Sequence, residues 1–203
     1  MEIRGQRLFF GCALFCAKAG FAKIIRQLCL ESKNTQGGFV MFREMRRKRQ
    51  LLSQEDTQKV LYQGTSGVLA VSGDNDYPYA VPLSYVYDGQ KIYFHSAKSG
   101  HKLDSITKNP KASFCVIDKD QIVPEEYTTY FRSVIVFGTI RILQDEAEKR
   151  EAIEKLAAKY APDDTEENRK RAIEREWKPL CMLEMTPEYI SGKEAIELVE
   201  HHK

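Results

Sequence analysis

The sequence predicts a small antiparallel β-barrel with a few helices at its periphery, and three observations support this fold class. Five or six short apolar runs are not separated by regular helices, which argues against a doubly wound parallel sheet. In the stretch Tyr77–Leu103, Asp88-Gly89 lies between two such runs, which is a strong hairpin signal. The longest run, Tyr130 to Leu143, contains Gly138, which predicts a bulge or a sharp bend.

The first forty residues differ in charge from the rest of the chain. Residues 1–40 hold six Lys or Arg and two Asp or Glu, whereas residues 41–203 hold twenty-five and twenty-seven. A basic start followed by the apolar run Leu8–Ala17 has the form of a signal peptide. The helical spacing of the next apolar residues is instead typical of an amphipathic targeting or surface helix. The third interpretation, which we favour, is that the working protein begins at Met41.

We therefore divide the chain into an N-terminal extension (residues 1–40), a main domain (41–199) and a short polar tail (200–203). The cysteines of the main domain, Cys115 and Cys181, are well separated in apolar runs. Such a pair makes a poor disulfide framework, so we expect a reducing, cytoplasmic compartment. No stable membrane association is expected for residues 41–203.

The elements of the main domain can be predicted in chain order. Ser53 and Asp56 form a capping box that begins a helix, and Gly64 ends it. Asp145 and Thr165 are placed to begin two further helices after the sheet region. The predicted strands are Gly67–Ser72, the two arms of the hairpin on either side of Asp88-Gly89, Lys111–Asp118, Tyr130–Leu143 and Leu180–Met185.

A polar, basic loop follows the hairpin. It runs from His95 to Lys102, after which Leu103 and Ile106 have helical spacing until Asn109-Pro110. Exposed N–H groups at a helix N-terminus favour an anion, and the helix dipole adds to that preference. The cationic or donor side chains and the hydroxyls of the loop would suit a phosphate monoester: Ser96, Lys98, Ser99, His101 and Lys102. The alternative is a solvated turn with ordinary surface lysines.

The usual catalytic motifs of self-sufficient enzymes are missing from the sequence. There is no nucleotide-binding glycine motif, no HExxH and no GxSxG. His95 is either a structural histidine or a ligand contact, and His201 and His202 stand in the tail, where we expect no metal site. The basic run Arg43–Arg49 has no interleaved aromatic residues, so a solvated arm is favoured over a nucleic-acid contact. If the protein is an enzyme, we expect a cofactor to carry the difficult step.

Two long segments resemble the nitroimidazole-resistance (Nim) family, within the flavoproteins similar to pyridoxamine 5′-phosphate oxidase. The segments are GVLAVSGDNDYPYAVPLSYVYDGQKIYFHSAKSGHKLDSITKNPKASFCV and TTYFRSVIVFGTIRIL. The resemblance extends over about residues 41–199, and its specificity lies in the order and spacing of the motifs. It implies a split β-barrel that forms a homodimer, with FMN bound in a cleft between the subunits.

The resemblance also implies site residues and an activity. The implied activity is flavin-dependent reduction of small electron-poor substrates of the nitroaromatic type. The flavin ring would lie along Val81-Pro82-Leu83-Ser84, and the family pattern would place His95, Ser96, Ala97, Lys98 and Lys102 around the ribityl chain and phosphate. Together with His101 of the loop, these form the cofactor-binding set, to which the partner subunit would add the equivalents of three residues: Arg132, Ser133 and Trp177.

Three alternatives to this activity stay open on the sequence. A non-enzymatic protein on the same barrel could hold a flavin or a haem, with His95 and His101 as candidate axial ligands of the haem iron. The second alternative is a small barrel that binds nucleic acid through Arg43–Arg49. Vitamin B6 oxidation is doubtful, because the C-terminal half has no Arg-x-His segment of the kind that pyridoxamine phosphate oxidases carry.

Overall fold

The computed structural model describes residues 42–201, which form seven strands and five α-helices. The three interpretations of residues 1–40, the proposed start at Met41 and the end of the tail at His202 and Lys203 lie outside the described residues. The strands are β1 (Ser66–Ser72), β2 (Pro78–Ser84), β3 (Val86–Tyr87), β4 (Ile92–Ala97), β5 (Lys111–Val123), β6 (Thr128–Ile142) and β7 (Leu180–Glu194). The helices are α1 (Gln54–Gln63), α2 (His101–Lys108), α3 (Glu146–Tyr160), α4 (Glu166–Glu176) and α5 (Ile196–His201).

All seven strands form one antiparallel sheet in the order β2-β1-β5-β6-β7-β4-β3. The sheet curves until β2, at one edge, lies against β4 near the other edge without ladder hydrogen bonds between them. A barrel whose sheet is not hydrogen-bonded at this junction is a split barrel, so the predicted fold class is confirmed. The interior holds the main core, which includes Leu69, Phe94, Phe114, Val136 and Leu183, each at most 1% exposed.

The predicted bend at Gly138 is confirmed. The pairing of β6 with β7 shifts register between Phe137 and Gly138, where Phe137 faces Tyr189 and Gly138 faces Pro187. A Cβ atom on Gly138 would meet the carbonyl oxygen of Thr186 at 2.1 Å, so the two backbones approach more closely than any side chain allows. Glycine is therefore required at the register shift between β6 and β7.

The hairpin stretch differs from the prediction in one respect. The run before Asp88 is two strands, because Tyr85 interrupts it: its ring is fully buried and its hydroxyl donates to the carbonyl of Leu61 at 2.8 Å. As a result β2 pairs with β1 at one edge of the sheet, while β3 pairs with β4 at the other. Tyr93, which alternates with Ile92 and Phe94 along β4, is buried as well, because α3 packs against it.

The predicted helix starts are confirmed, while two strands are longer than the sequence indicated. Ser53, Asp145 and Thr165 each accept a hydrogen bond from a backbone N–H in the first turn of their helix. The last strand continues from the predicted end at Met185 to Glu194, and the strand predicted to end at Asp118 continues to Val123.

No helix in residues 42–201 is long and apolar enough to cross a membrane.

Candidate functional site

The loop after β4 leads into α2. Of the four helices with eight or more residues in the described chain, α2 is the one that lacks a side-chain N-cap. Gly100 occupies the N-cap position of α2 with φ 128°, a conformation that favours glycine, and it has no side chain with which to cap the helix. Its carbonyl accepts the N–H groups of Leu103 and Asp104 at 2.9 and 3.2 Å. The first N–H groups of α2 therefore remain available to an external acceptor.

Two lysines of the loop add positive charge at this helix start. Lys98 is exposed, whereas Lys102 in the first turn of α2 is partly buried. Burial lowers the pKa of Lys102, and a smaller electrostatic effect of Cys181 opposes that shift. A partly desolvated ammonium beside uncapped N–H groups attracts anions more strongly than an ammonium in bulk water.

A cavity of about 330 Å³ lies beside this loop, between the end of β4 and the start of α3. Its apolar walls come from the end of β6, the start of β7 and α2, and its charged groups are Lys98, Glu146 and Lys149. Burial raises the pKa of the Cys181 thiol, while the charges of Lys102, Lys149 and Lys98 act to lower it. Two lysines, Lys98 and Lys149, therefore line the cavity together with Cys181. The complete lining is Lys98, Leu103, Ile142, Leu143, Gln144, Glu146, Lys149, Leu180 and Cys181.

The strand expected to face the flavin ring is an edge of the sheet. Val81-Pro82-Leu83-Ser84 is the second half of β2, and it pairs through β1 residues Ser66–Leu69 on one side only. Pro82 is exposed, and the other three residues are partly buried. Because β2 lies against β4, the strands that carry the predicted ring contacts and His95-Ser96-Ala97 are brought together in one chain.

The two candidate haem ligands have different surroundings. His95 is exposed on β4. The ring of His101 lies 4.2 Å from the ring of Tyr79, centroid to centroid, and its Nε2 is 3.6 Å from the Asp74 carboxylate. These contacts attach the start of α2 to β2 and to the turn that precedes it.

The three residues assigned to a partner subunit have the following contacts within one chain. Arg132 donates from Nη2 to Glu194 at 2.9 Å and from Nη1 to Asp118 at 3.4 Å, so its charge is neutralised internally. Ser133 is its neighbour on β6 and pairs with Lys193 of β7. Two cations of α3 lie over the Trp177 ring, with Lys149 Nζ at 4.0 Å and Arg150 Cζ at 4.1 Å from its centroid.

Lys149 was not among the residues predicted for the site. It is 5% exposed, although a lysine in a charged helix is expected to point into solvent. The spacing of Lys149, Ala152 and Leu156 carries the missed signal, because all three lie on the buried face of α3.

Comparison with known proteins identifies relatives of this architecture. Residues 53–194 match a family model described as pyridoxamine 5′-phosphate oxidase. The chain is 34% identical over 88 residues to the uncharacterized protein RA0666 of Rhizobium meliloti (strain 1021). That match covers 43% of this chain and 53% of the relative, so the similarity spans about half the relative's length.

Two solved structures share the fold over most of their length. One is an FAD-binding protein (mll6688) from Mesorhizobium loti, 26% identical, with a TM-score of 0.53 over 71% of this chain and 96% of that one. The other is described as a 5-nitroimidazole antibiotic resistance protein from Bacteroides thetaiotaomicron VPI-5482. It is 18% identical, with a TM-score of 0.58 over 70% of this chain and 85% of that one.

Proposed function

The chain belongs to the pyridoxamine 5′-phosphate oxidase family, and from that premise we propose that it is an FMN-dependent oxidoreductase of small electron-poor substrates. The proposal rests on one observation: the start of α2 has backbone N–H groups without a side-chain cap, and Lys98 and Lys102 flank it in the chain. This arrangement suits a dianionic phosphate monoester, which is the end group of FMN. The Mesorhizobium loti relative, described as FAD-binding, supports a flavin as the ligand class.

The edge strand β2 suits the polar edge of a flavin ring. The backbone groups of β2 that point away from β1 have no strand partner in the described sheet, so they can donate to and accept from a ligand. Pro82 lacks an N–H, and successive N–H groups of a strand point to opposite sides, so the free edge offers either the N–H groups of Val81 and Leu83 or that of Ser84. In this proposal β2 orients the ring, while the β4–α2 loop holds the phosphate.

A bound flavin would supply the electron transfer, which the side chains of the described residues cannot carry out by themselves. The contribution of the chain is to bind and orient the cofactor and to adjust its electronic properties by hydrogen bonds. The nitroaromatic class of substrate rests on the fold shared with the Bacteroides thetaiotaomicron protein and on the resemblance to its family.

We also propose that the protein forms a homodimer through the outer face of the sheet. Val68, Cys115 and Ile135 are adjacent in register across β1, β5 and β6. Val68 and Ile135 are 37% and 39% exposed, and the nearby Phe137 is 37% exposed. A second copy would cover this apolar stripe and bring its own Arg132, Ser133 and Trp177 towards the cleft.

Flavin binding without catalysis and oxidation of a vitamin B6 phosphate are the alternatives within the family. Haem is less favoured, because the His101 ring already contacts Tyr79 and Asp74. A cytoplasmic location is also part of the proposal, since Cys115 and Cys181 are free thiols.

The decisive experiment is a titration of the purified protein with FMN, FAD and riboflavin, followed by flavin fluorescence. The proposal predicts that FMN binds more tightly than riboflavin, because only FMN presents the phosphate. The loaded protein is then mixed with NAD(P)H and a nitroaromatic compound, or with pyridoxamine 5′-phosphate and oxygen. Equal affinity for FMN and riboflavin would contradict the phosphate site, and a loaded protein inactive in both assays would favour a carrier.

A further inference from the structure

A second cavity, of about 410 Å³, lies between the segment that precedes α1 and the start of α5. It shares no described lining residue with the cavity beside the β4–α2 loop. A ligand of this second cavity is therefore held by residues that the proposed flavin site does not use. The described lining is Arg46, Arg47, Lys48, Arg49, Gln50 and Ile196.

Gln50 is buried in this segment with one hydrogen bond unmade. It is 5% exposed, and its Oε1 accepts no hydrogen bond from the described part of the chain. Glutamine is mostly an exposed residue, and a buried side-chain acceptor normally has a donor. Because Gln50 lines the cavity, a ligand there can supply the missing O–H or N–H group.

The backbone around Gln50 is attached at both sides of the residue. The Gln50 N–H donates to the carbonyl of Arg47 at 3.0 Å and closes a single 3₁₀ turn. Two residues later, the Leu52 N–H donates to the carbonyl of Gly192 in β7 at 3.0 Å. The unpaired acceptor therefore belongs to a segment that is tied to the sheet.

The charge of the cavity favours an anion. Its described lining carries four cationic side chains and no carboxylate. Arg46 and Arg47 are exposed, and their guanidinium groups form no ion pair within residues 42–201, whereas Lys48 pairs with Glu44 at 2.9 Å. A planar guanidinium matches a carboxylate through two parallel hydrogen bonds and stacks on aromatic rings. The stems of these side chains and Ile196 form apolar walls that suit such a ring.

We propose that this cavity binds an aromatic carboxylate that also carries a hydroxyl or N–H donor. The carboxylate lies against Arg46 and Arg47, the ring lies along the arginine stems and Ile196, and the donor binds the Gln50 Oε1. A nucleic acid would also meet the arginines through its phosphates, but backbone phosphate binding needs neither a buried acceptor nor apolar walls. The proposal is independent of the proposed flavin chemistry.

The test is a calorimetric titration of the full chain with 3- and 4-hydroxybenzoate, with saturating FMN present to keep the probes out of the proposed flavin site. The methoxybenzoates are the matched probes without a donor, and 4-hydroxybenzamide is the matched probe without a charge. The variants are Gln50→Leu, Arg46→Gln and Arg47→Gln. The control is Arg43→Gln, which changes an exposed arginine of the same basic run outside the described lining.

At least one hydroxybenzoate is expected to bind about tenfold more tightly than its methoxy analogue, as the loss of one hydrogen bond implies. The neutral amide should bind more weakly as well. Arg46→Gln and Arg47→Gln should each weaken binding of the acid by about three- to tenfold, since exposed charges are screened, and Arg43→Gln should not. Gln50→Leu should stay folded, because it removes an unpaired acceptor, and should lose the preference for hydroxyl over methoxy.

The proposal is overturned if neither hydroxybenzoate binds, if the Gln50→Leu protein keeps the preference for hydroxyl, or if Arg43→Gln weakens binding as much as the cavity variants do. A short single-stranded oligonucleotide is the second probe. Oligonucleotide binding that all three arginine variants weaken, without binding of either acid, would overturn the proposal in favour of a nucleic-acid contact.

Discussion

Arg141 and Glu184 are cross-strand partners on β6 and β7, and the Arg141 Nε donates to the Glu184 Oε1 at 2.8 Å. Glu184 is only 5% exposed, and its other oxygen accepts from Lys91 at 2.8 Å. Arg141 extends further to Glu148 of α3, with distances of 2.9 and 3.0 Å. One buried carboxylate thus connects β7 to β6, to the hairpin before β4 and, through Arg141, to α3.

Glu184→Gln is predicted to lower the free energy of unfolding by about 1–3 kcal/mol at pH 7. The loss is limited to this range because the partners of Glu184, Arg141 and Lys91, are partly exposed and screened by solvent. Burial raises the pKa of Glu184, but hydrogen bonds from Arg141 and Lys91 outweigh it and hold the pKa below its usual range. The stabilisation is therefore present above the unfolded-state pKa and is lost as pH falls through the lower folded-state pKa. Urea unfolding at pH 7 and pH 3 checks this.

The control for this prediction is Glu151→Gln, which removes an ion pair between the exposed Glu151 and Lys155. It should change stability by less than about 1 kcal/mol. A Glu184→Gln protein as stable as this control at pH 7 would show that the buried pair contributes little.

Lys102→Ala is predicted to weaken FMN binding by about ten- to hundredfold, because it removes a charge-assisted contact of roughly 1.5–3 kcal/mol. The matched control is Lys108→Ala at the opposite end of α2, where Lys108 pairs with Asp74 at 3.2 Å on the surface. Fluorescence titration of both variants gives the comparison. Equal losses in the two variants would indicate a general charge effect and no phosphate contact at Lys102.

FMN binding should also decline at high pH. Burial holds the pKa of Lys102 below its ordinary 10.5, so Lys102 loses its proton at a lower pH than a surface lysine. Affinity is therefore predicted to be full below that pKa and to fall as pH rises through it. Lys102→Arg keeps the charge and should remove the decline. A pH profile that is identical in the native and Lys102→Arg proteins would contradict this assignment.

Tyr160→Phe is predicted to destabilise the fold by about 1–3 kcal/mol. The Tyr160 hydroxyl donates to the carbonyl of Thr65 and accepts the N–H of Tyr85 at 3.0 Å, so it holds the end of α3 against the break between β2 and β3. Its loss leaves both backbone groups without that partner. Tyr127→Phe is the control, because Tyr127 is 98% exposed. Denaturant midpoints of the two variants within error of each other would refute the prediction.

If the protein forms the proposed homodimer, Ile135→Glu is predicted to convert it to a monomer, because the substitution places a charge in the apolar stripe of Val68, Cys115 and Ile135. Light scattering after size-exclusion chromatography measures the mass in solution. Lys170→Gln, on the surface of α4, is a control with the same change in net charge. The proposed interface would be contradicted by a native protein that is already monomeric or by an Ile135→Glu protein that stays dimeric.

Local signals in the sequence predicted the elements well where one residue has a decisive preference. Ser53, Asp145 and Thr165 begin helices because their side chains accept first-turn N–H groups, and Gly138 lies where a Cβ atom has no room. These are short-range effects, so a single sequence carries them. The same reasoning located the basic loop before α2, and the assignment of that loop to a flavin phosphate stays a prediction.

Features that depend on distant contacts could not be predicted in the same way. Tyr85 divides the hairpin run because it reaches Leu61 of α1, and Tyr93 is buried because α3 packs over it. A lysine in a charged helix is expected at the surface, but Lys149 is buried, because Trp177, the end of β6 and the start of β7 lie around it. Arg132, which the resemblance assigns to the flavin of a partner subunit, pairs with Glu194 and Asp118 in its own chain, and no local pattern indicates those two contacts.

The most direct test of flavin binding is the absorption spectrum of the purified protein before and after addition of FMN. We predict the two visible bands of an oxidised flavin, retained through gel filtration and released as free FMN on denaturation. A Soret band would contradict this account and identify a haem protein. A colourless protein that does not retain added FMN would also contradict it, leaving the split barrel without its proposed cofactor.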